Sequence, residues 1–84
     1  MNSAHRKTLA AIFAVPTLKN IQYRQVEAML LGLGCEKREG AGSRVRFLRG
    51  RVRVAIHKPH PGNELKTYQV EEIRAFLETI GVVP

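Results

Sequence analysis

Eighty-four residues hold 14 Lys and Arg against 7 acidic residues, every one a Glu, for a formal net charge of +7, and 44% of them are hydrophobic. A chain of this length buries about 60–65% of its unfolded surface, which supports one core and excludes a cleft between domains. Its single cysteine, Cys35, excludes an intrachain disulfide and a cysteine-rich zinc site and fits a reducing cytoplasm.

After Ser3, a candidate N-cap, Leu9, Ile12 and Phe13 recur at helical spacing, and Pro16 forces Val15 out of helical geometry, so a short first helix is predicted. The longest apolar run, Ala10 to Pro16, is too short for a bilayer, and the stretch behind Met1–Lys7 is too short for a signal peptide. A cytoplasmic protein with no membrane partner is expected. Residues 16–20 lead to a second helix, whose Val26, Met29, Leu30 and Leu33 share one face and which Gly34 ends in the left-handed conformation. Cys35 to Glu39 has the polar composition of a short edge strand, and Gly40 to Ser43 that of a flexible turn.

Arg44 to Leu48 and Arg51 to Ile56 alternate with the period of half-buried strands, with Arg49 and Gly50 as the turn between them. A hairpin closed there pairs Phe47 with Val52, Arg46 with Arg53 and Val45 with Val54. One face then carries Val45, Phe47, Val52, Val54 and Ile56; the other carries Arg44, Arg46, Leu48, Arg51, Arg53, Ala55 and His57. Lys58 to Lys66 is a loop in which Pro59 and Pro61 bracket His60. Thr67 caps a last helix that keeps Val70, Ile73, Leu77 and Ile80 on one stripe and exposes Gln69, Glu71, Glu72 and Glu78 before Gly81. This order predicts an α+β fold, a three-stranded antiparallel sheet with helices packed on its apolar face. Residues 1–84 form a single domain, with 1–20 as an N-terminal helical extension and 21–84 as the core.

Between Lys37 and Lys58 eight basic residues stand against Glu39 alone, whereas the flanking segments are balanced. Arg46 opposite Arg53, with Arg44 and Arg51 beside them, crowds four guanidiniums onto a face expected to hold no acid. Like charges opposed across a ladder destabilise it unless an anion intervenes, and the guanidinium fork matches phosphate. Nucleic acid is the partner that this chemistry fits, with Lys37, Arg38, Ser43 and Lys58 extending the contact; the same arginines also fit a patch that only confers solubility.

His57 ends the third strand on the arginine face, diagonal to Arg44. Imidazole there is suited to take the proton of a ribose 2′-hydroxyl, and equally suited to a hydrogen bond with the loop. His60 is a loop-shaping residue or a second base. Three dispersed His and one Cys have no metal-ligand spacing, so neither a metal nor another cofactor is expected. Tyr23 and Tyr68, near helix starts, either stack a base or pack with a wet hydroxyl. Cys35 reads as a small core residue.

Gly42 and Ser43 ahead of the second strand, the run from Ile56 to Leu65 with its prolines and histidines, and the last helix with Val70, Ile73 and Leu77 resemble the HicA-type toxins of bacterial toxin and antitoxin pairs. The resemblance covers roughly Tyr23 to Val82. It implies a fold like that of a double-stranded RNA-binding domain, of order α-β-β-β-α, here with an N-terminal helix added. It further implies an mRNA interferase that cuts RNA by 2′-hydroxyl attack without metal, a monomer when free that forms a hetero-oligomer with a HicB-type antitoxin.

Members of that family carry a catalytic histidine just after the Gly and Ser of the second strand, and Arg44 stands at that position here. Arginine stays protonated and cannot serve as a base, although it binds phosphate and stabilises developing charge. Two readings stay open: His57 or His60 supplies the base, or the chain binds RNA and its antitoxin without cleavage. Double-stranded RNA-binding domains grip phosphates with a lysine cluster at the start of the last helix, where this chain has only Lys66. Single-stranded mRNA on the arginine face is therefore the expected arrangement. A DNA-binding role lacks a recognition helix of suitable composition.

Overall fold

In the computed structural model, which describes residues 1–84, the elements are α1 (Ser3–Ile12), α2 (Tyr23–Gly32), β1 (Glu36–Glu39), β2 (Arg44–Arg49), β3 (Val52–His57) and α3 (Thr67–Thr79). The antiparallel sheet has the order β1-β2-β3, so both β1 and β3 are edges. The predicted α+β order is the observed one. Helix starts are displaced by one residue: Asn2 rather than Ser3 caps α1, its Oδ1 accepting from His5 N at 2.7 Å, and Lys66 rather than Thr67 precedes α3.

Alternation decides which face of the sheet is covered. Val45 and Phe47 are fully buried, Val54 and Ile56 nearly so, and all four meet the helices. The helices answer with Val26, Met29 and Leu30 from α2 and Val70, Ile73, Phe76 and Leu77 from α3. Each such side chain contributes about 1.5–3 kcal/mol on burial. Leu9 and Ile12 of α1 belong to the same cluster, so the N-terminal helix is part of the core.

The β2–β3 turn lies at Gly50 and Arg51, not at Arg49 and Gly50. Gly50 has φ +62° while no non-glycine residue has positive φ, so only the first central position is left-handed. That is the pattern of a type II′ turn, whose twist suits a hairpin and which favours glycine there. The register corrects accordingly: Phe47 pairs with Val54, Arg46 with Ala55, Leu48 with Arg53, and Arg44 with His57.

Past β3, the chain is pinned to the start of α2. Leu65 N donates to Ile21 O and Tyr23 N donates to Asn63 O, both at 2.8 Å, around a bridge between Gln22 and Glu64. The loop carrying His60 thus leaves β3 and returns to a fixed point before α3 begins.

Candidate nucleic-acid interface

Opposite the helices, the sheet presents Arg44 and Arg46 of β2 and Arg53, Ala55 and His57 of β3, all exposed. None of Arg44, Arg46 and Arg53 is in an ion pair. The face is not free of acid as expected: Glu36 shares it, opposite Leu48, and pairs with Arg38, which lies opposite Arg46. Nor do four guanidiniums share it in the expected way. Arg51 sits in the turn, and Arg46 and Arg53 are diagonal rather than directly opposed. The like-charge pair that does face directly is Arg38 with Arg46, which Glu36 moderates.

The corrected register brings Arg44 and His57 closer than the diagonal placement allowed. Lys58 N donates to Ser43 O at 2.9 Å, so that pair is hydrogen-bonded and the next, Arg44 with His57, is not. Non-hydrogen-bonded pairs hold their Cα atoms at about 4.5 Å, with side chains nearest each other. Ser43 Oγ lies 3.3 Å from His57 Nδ1, and the His57 carbonyl accepts from Gln69 Nε2 at 2.9 Å. Gln69 Oε1 in turn accepts from Lys66 N at 2.9 Å, so one amide ties the end of β3 to the first turn of α3. Gln69, expected on the exposed face of its helix, is only 5% exposed.

Two open concavities meet at His57. One, about 550 Å³, is lined by Gly40, Ala41, Arg44, Arg46, Arg53, Ala55, Ile56 and His57. The other, about 270 Å³, lies among Ser43, His57, the loop with Lys58 and His60, and the start of α3 with Lys66, Tyr68 and Gln69. His60 is thus a neighbour of His57 across the second concavity and takes no part in the first. The arginine stem at the first is steadied by the turn: Gly40 N donates to Arg44 O at 2.9 Å, and the side chain of Arg44 passes over the glycine.

Lys37 and Lys58 sit differently from the other expected contacts. Lys37 lies half-buried in the edge strand with Nζ 2.9 Å from Glu27 of α2 and 3.6 Å from Glu39, and Lys58 Nζ reaches Glu39 at 2.7 Å. Tyr23, expected to stack a base or keep a wet hydroxyl, is buried and donates from its hydroxyl to Glu27 Oε2. Burial, then the hydrogen bond to Glu27, raises the Tyr23 phenol well above its ordinary range. Burial alone would raise Glu27, but hydrogen bonds from Tyr23 and Lys37 and the charges of Lys37 and Lys58 hold it below the usual carboxylate value. Glu39 is held low by its hydrogen bond from Lys58 and the charges of both lysines, and the bond to Glu27 raises Lys37. This cluster was invisible locally, because Glu27 and Lys37 meet only when α2 packs beside β1. Cys35 is buried, as expected of a core residue, and burial raises its thiol.

Chemically, the face offers three unpaired guanidiniums and one imidazole within cross-strand reach. Guanidiniums bind phosphate oxygens, and an imidazole that engages Ser43 through Nδ1 leaves Nε2 to meet a ligand. The family model described as HicA toxin of bacterial toxin-antitoxin matches residues 23–82, from the first residue of α2 to beyond the end of α3. No curated protein and no solved structure matches the chain significantly.

Proposed function

The chain belongs to the HicA family, toxins of bacterial toxin-antitoxin systems, and on that premise we propose that it binds single-stranded mRNA on the arginine face and cleaves it beside His57. The observation that carries the reading is the Arg44–His57 cross-strand pair, set in a face whose Arg44, Arg46 and Arg53 have no carboxylate partner.

In this reading Arg44 and its neighbours hold the phosphodiester. His57 Nε2 takes the proton of the adjacent ribose 2′-hydroxyl, and the 2′-oxygen attacks phosphorus. The bond from phosphorus to the 5′-oxygen breaks, a proton from solvent completes the leaving hydroxyl, and a 2′,3′-cyclic phosphate remains. Arg44 stabilises the charge that builds on the phosphoryl oxygens, and Ser43 orients the ring through Nδ1. His60, on the adjoining loop, is the alternative base. The protein partner is a HicB-type antitoxin, bound to the toxin as a hetero-oligomer.

A second reading, an RNA- or antitoxin-binding module without cleavage, draws on Arg44, which replaces the family's histidine with a group that cannot accept a proton. Inducing the chain in a bacterium and mapping transcript 5′ ends separates the two. Cut sites present with the native chain and lost in His57→Ala support cleavage by the relocated base; cut sites in neither leave the binding module.

A further inference from the structure

We propose that the second concavity at His57 is a nucleobase pocket that selects guanine for the nucleotide beside the scissile phosphate. The inference rests on the RNA-cleaving reading above and adds to it a subsite with its own chemistry.

Tyr68 is one of the two tyrosines that could stack a base, and the structure separates them. Tyr23 is buried in the core, whereas Tyr68 is 56% exposed at the first turn of α3 and lines this concavity with Pro59 and Pro61. An exposed tyrosine beside two proline rings offers an aromatic and apolar surface on which a base can stack.

Glu64 also lines it. In a chain with a net charge of +7 this carboxylate has no ion pair and no side-chain hydrogen bond, although Lys58 and Lys66 line the same concavity. Its backbone is held in register by the bridge to Gln22. A carboxylate at this place repels phosphate, so the phosphate belongs on the arginine side of His57 and the base on this side. Two carboxylate oxygens match two adjacent donors, and only guanine offers such a pair, N1–H and the 2-amino group, on one edge. Lys66 supplies a donor for the guanine O6 or N7 acceptors. Adenine would set its amino group against the lysine, and uracil offers one donor only.

The test uses the full chain and hexaribonucleotides carrying 2′-O-methyl groups, which block 2′-attack, followed by fluorescence anisotropy at low salt. An oligomer of uridines with one internal guanosine should bind at least tenfold more tightly than those carrying adenosine, inosine or uridine there. Inosine lacks only the 2-amino group. Glu64→Gln should remove the guanosine preference and leave uridine-oligomer affinity in place, and Tyr68→Ala should weaken the guanosine oligomer about fivefold or more, as losing one stacked base does. Equal affinity for all four oligomers, or a guanosine preference that survives Glu64→Gln, overturns the pocket while the arginine-face reading stands. Failure of every oligomer to bind overturns both.

Discussion

Arg74 of α3 closes the C-terminal end of α1: its Nε donates to the Ile12 carbonyl at 2.9 Å, and Nη2 donates to Ala14 O at 3.2 Å and Thr17 Oγ1 at 3.1 Å. A cation placed against the last carbonyls of a helix satisfies groups that have no partner within it and opposes the negative end of its dipole. Hydrogen bonds to charged donors contribute about 1.5–3 kcal/mol. Arg74→Met, which keeps the stem, should therefore lower unfolding stability by about 2 kcal/mol in urea titration, a drop of roughly 8–16 °C in Tm for a domain of this size. A loss below about 0.5 kcal/mol would show that α1 is held by Leu9 and Ile12 alone.

The cluster of Glu27, Lys37, Glu39 and Lys58 predicts how stability follows pH. Glu27 and Glu39 have folded pKa values below their ordinary ones, so the stability they contribute is complete above the ordinary carboxylate range, near pH 4.5, and is lost as pH falls through the lowered values. Lys37 and Tyr23 have raised values, so their contribution is complete below the ordinary range near pH 10 and is lost as pH rises further. Chemical denaturation from pH 2 to 7 should show a steep acid limb in the native chain and a shallower one in Glu27→Gln. An unchanged acid slope would remove Glu27 from the linkage.

Why the two faces of the sheet were legible while the pairing was not follows from the period of a strand. Placing the turn one residue early slides β3 by two positions against β2, which preserves every side chain's face and changes only its neighbour. Val45, Phe47, Val54 and Ile56 thus stayed inside, but Arg46 gained Ala55 in place of Arg53, and His57 moved directly across from Arg44. The missed signal was Gly50 itself, since a two-residue turn that begins with glycine is the type II′ form. Gln69 and Arg74 were beyond local reading for a different reason. Their partners, His57 and Ile12, lie on other elements, and nothing in the helical period of α3 marks which polar residue turns inward. In the four-residue β1 no apolar alternation tells Lys37 from Arg38, so one lysine expected on the RNA face lies instead against α2.

The salt dependence of RNA binding tests whether guanidiniums on the open face meet phosphate. For single-stranded RNA each neutralised phosphate contributes a slope of about 0.7 in log K against log salt. The double variant Arg46→Ser, Arg53→Ser should therefore flatten the slope by about 1.4 and weaken binding at low salt, with no effect on thermal stability larger than about 1 kcal/mol because both side chains are exposed and unpaired. Arg51→Ser, in the turn, is the control. A slope reduced as much by Arg51→Ser as by the double variant would move the phosphate path from the sheet face to the hairpin tip.

Cleavage tests the cross-strand pair most directly, because the two positions make opposite predictions. Removing a general base costs about 10²–10⁴-fold in rate, so His57→Ala should reduce cutting of a short RNA by at least a hundredfold while leaving affinity for a 2′-O-methyl analogue within about twofold. Arg44→His removes the guanidinium proposed to hold phosphate and places an imidazole directly opposite His57, where the resemblance puts the family's histidine. In that variant weaker binding should accompany a faster chemical step, and cutting should survive the further change His57→Ala. Full activity in His57→Ala on the native Arg44 background would pass the role of base to His60, and His60→Ala would then abolish cleavage with a normal affinity for RNA.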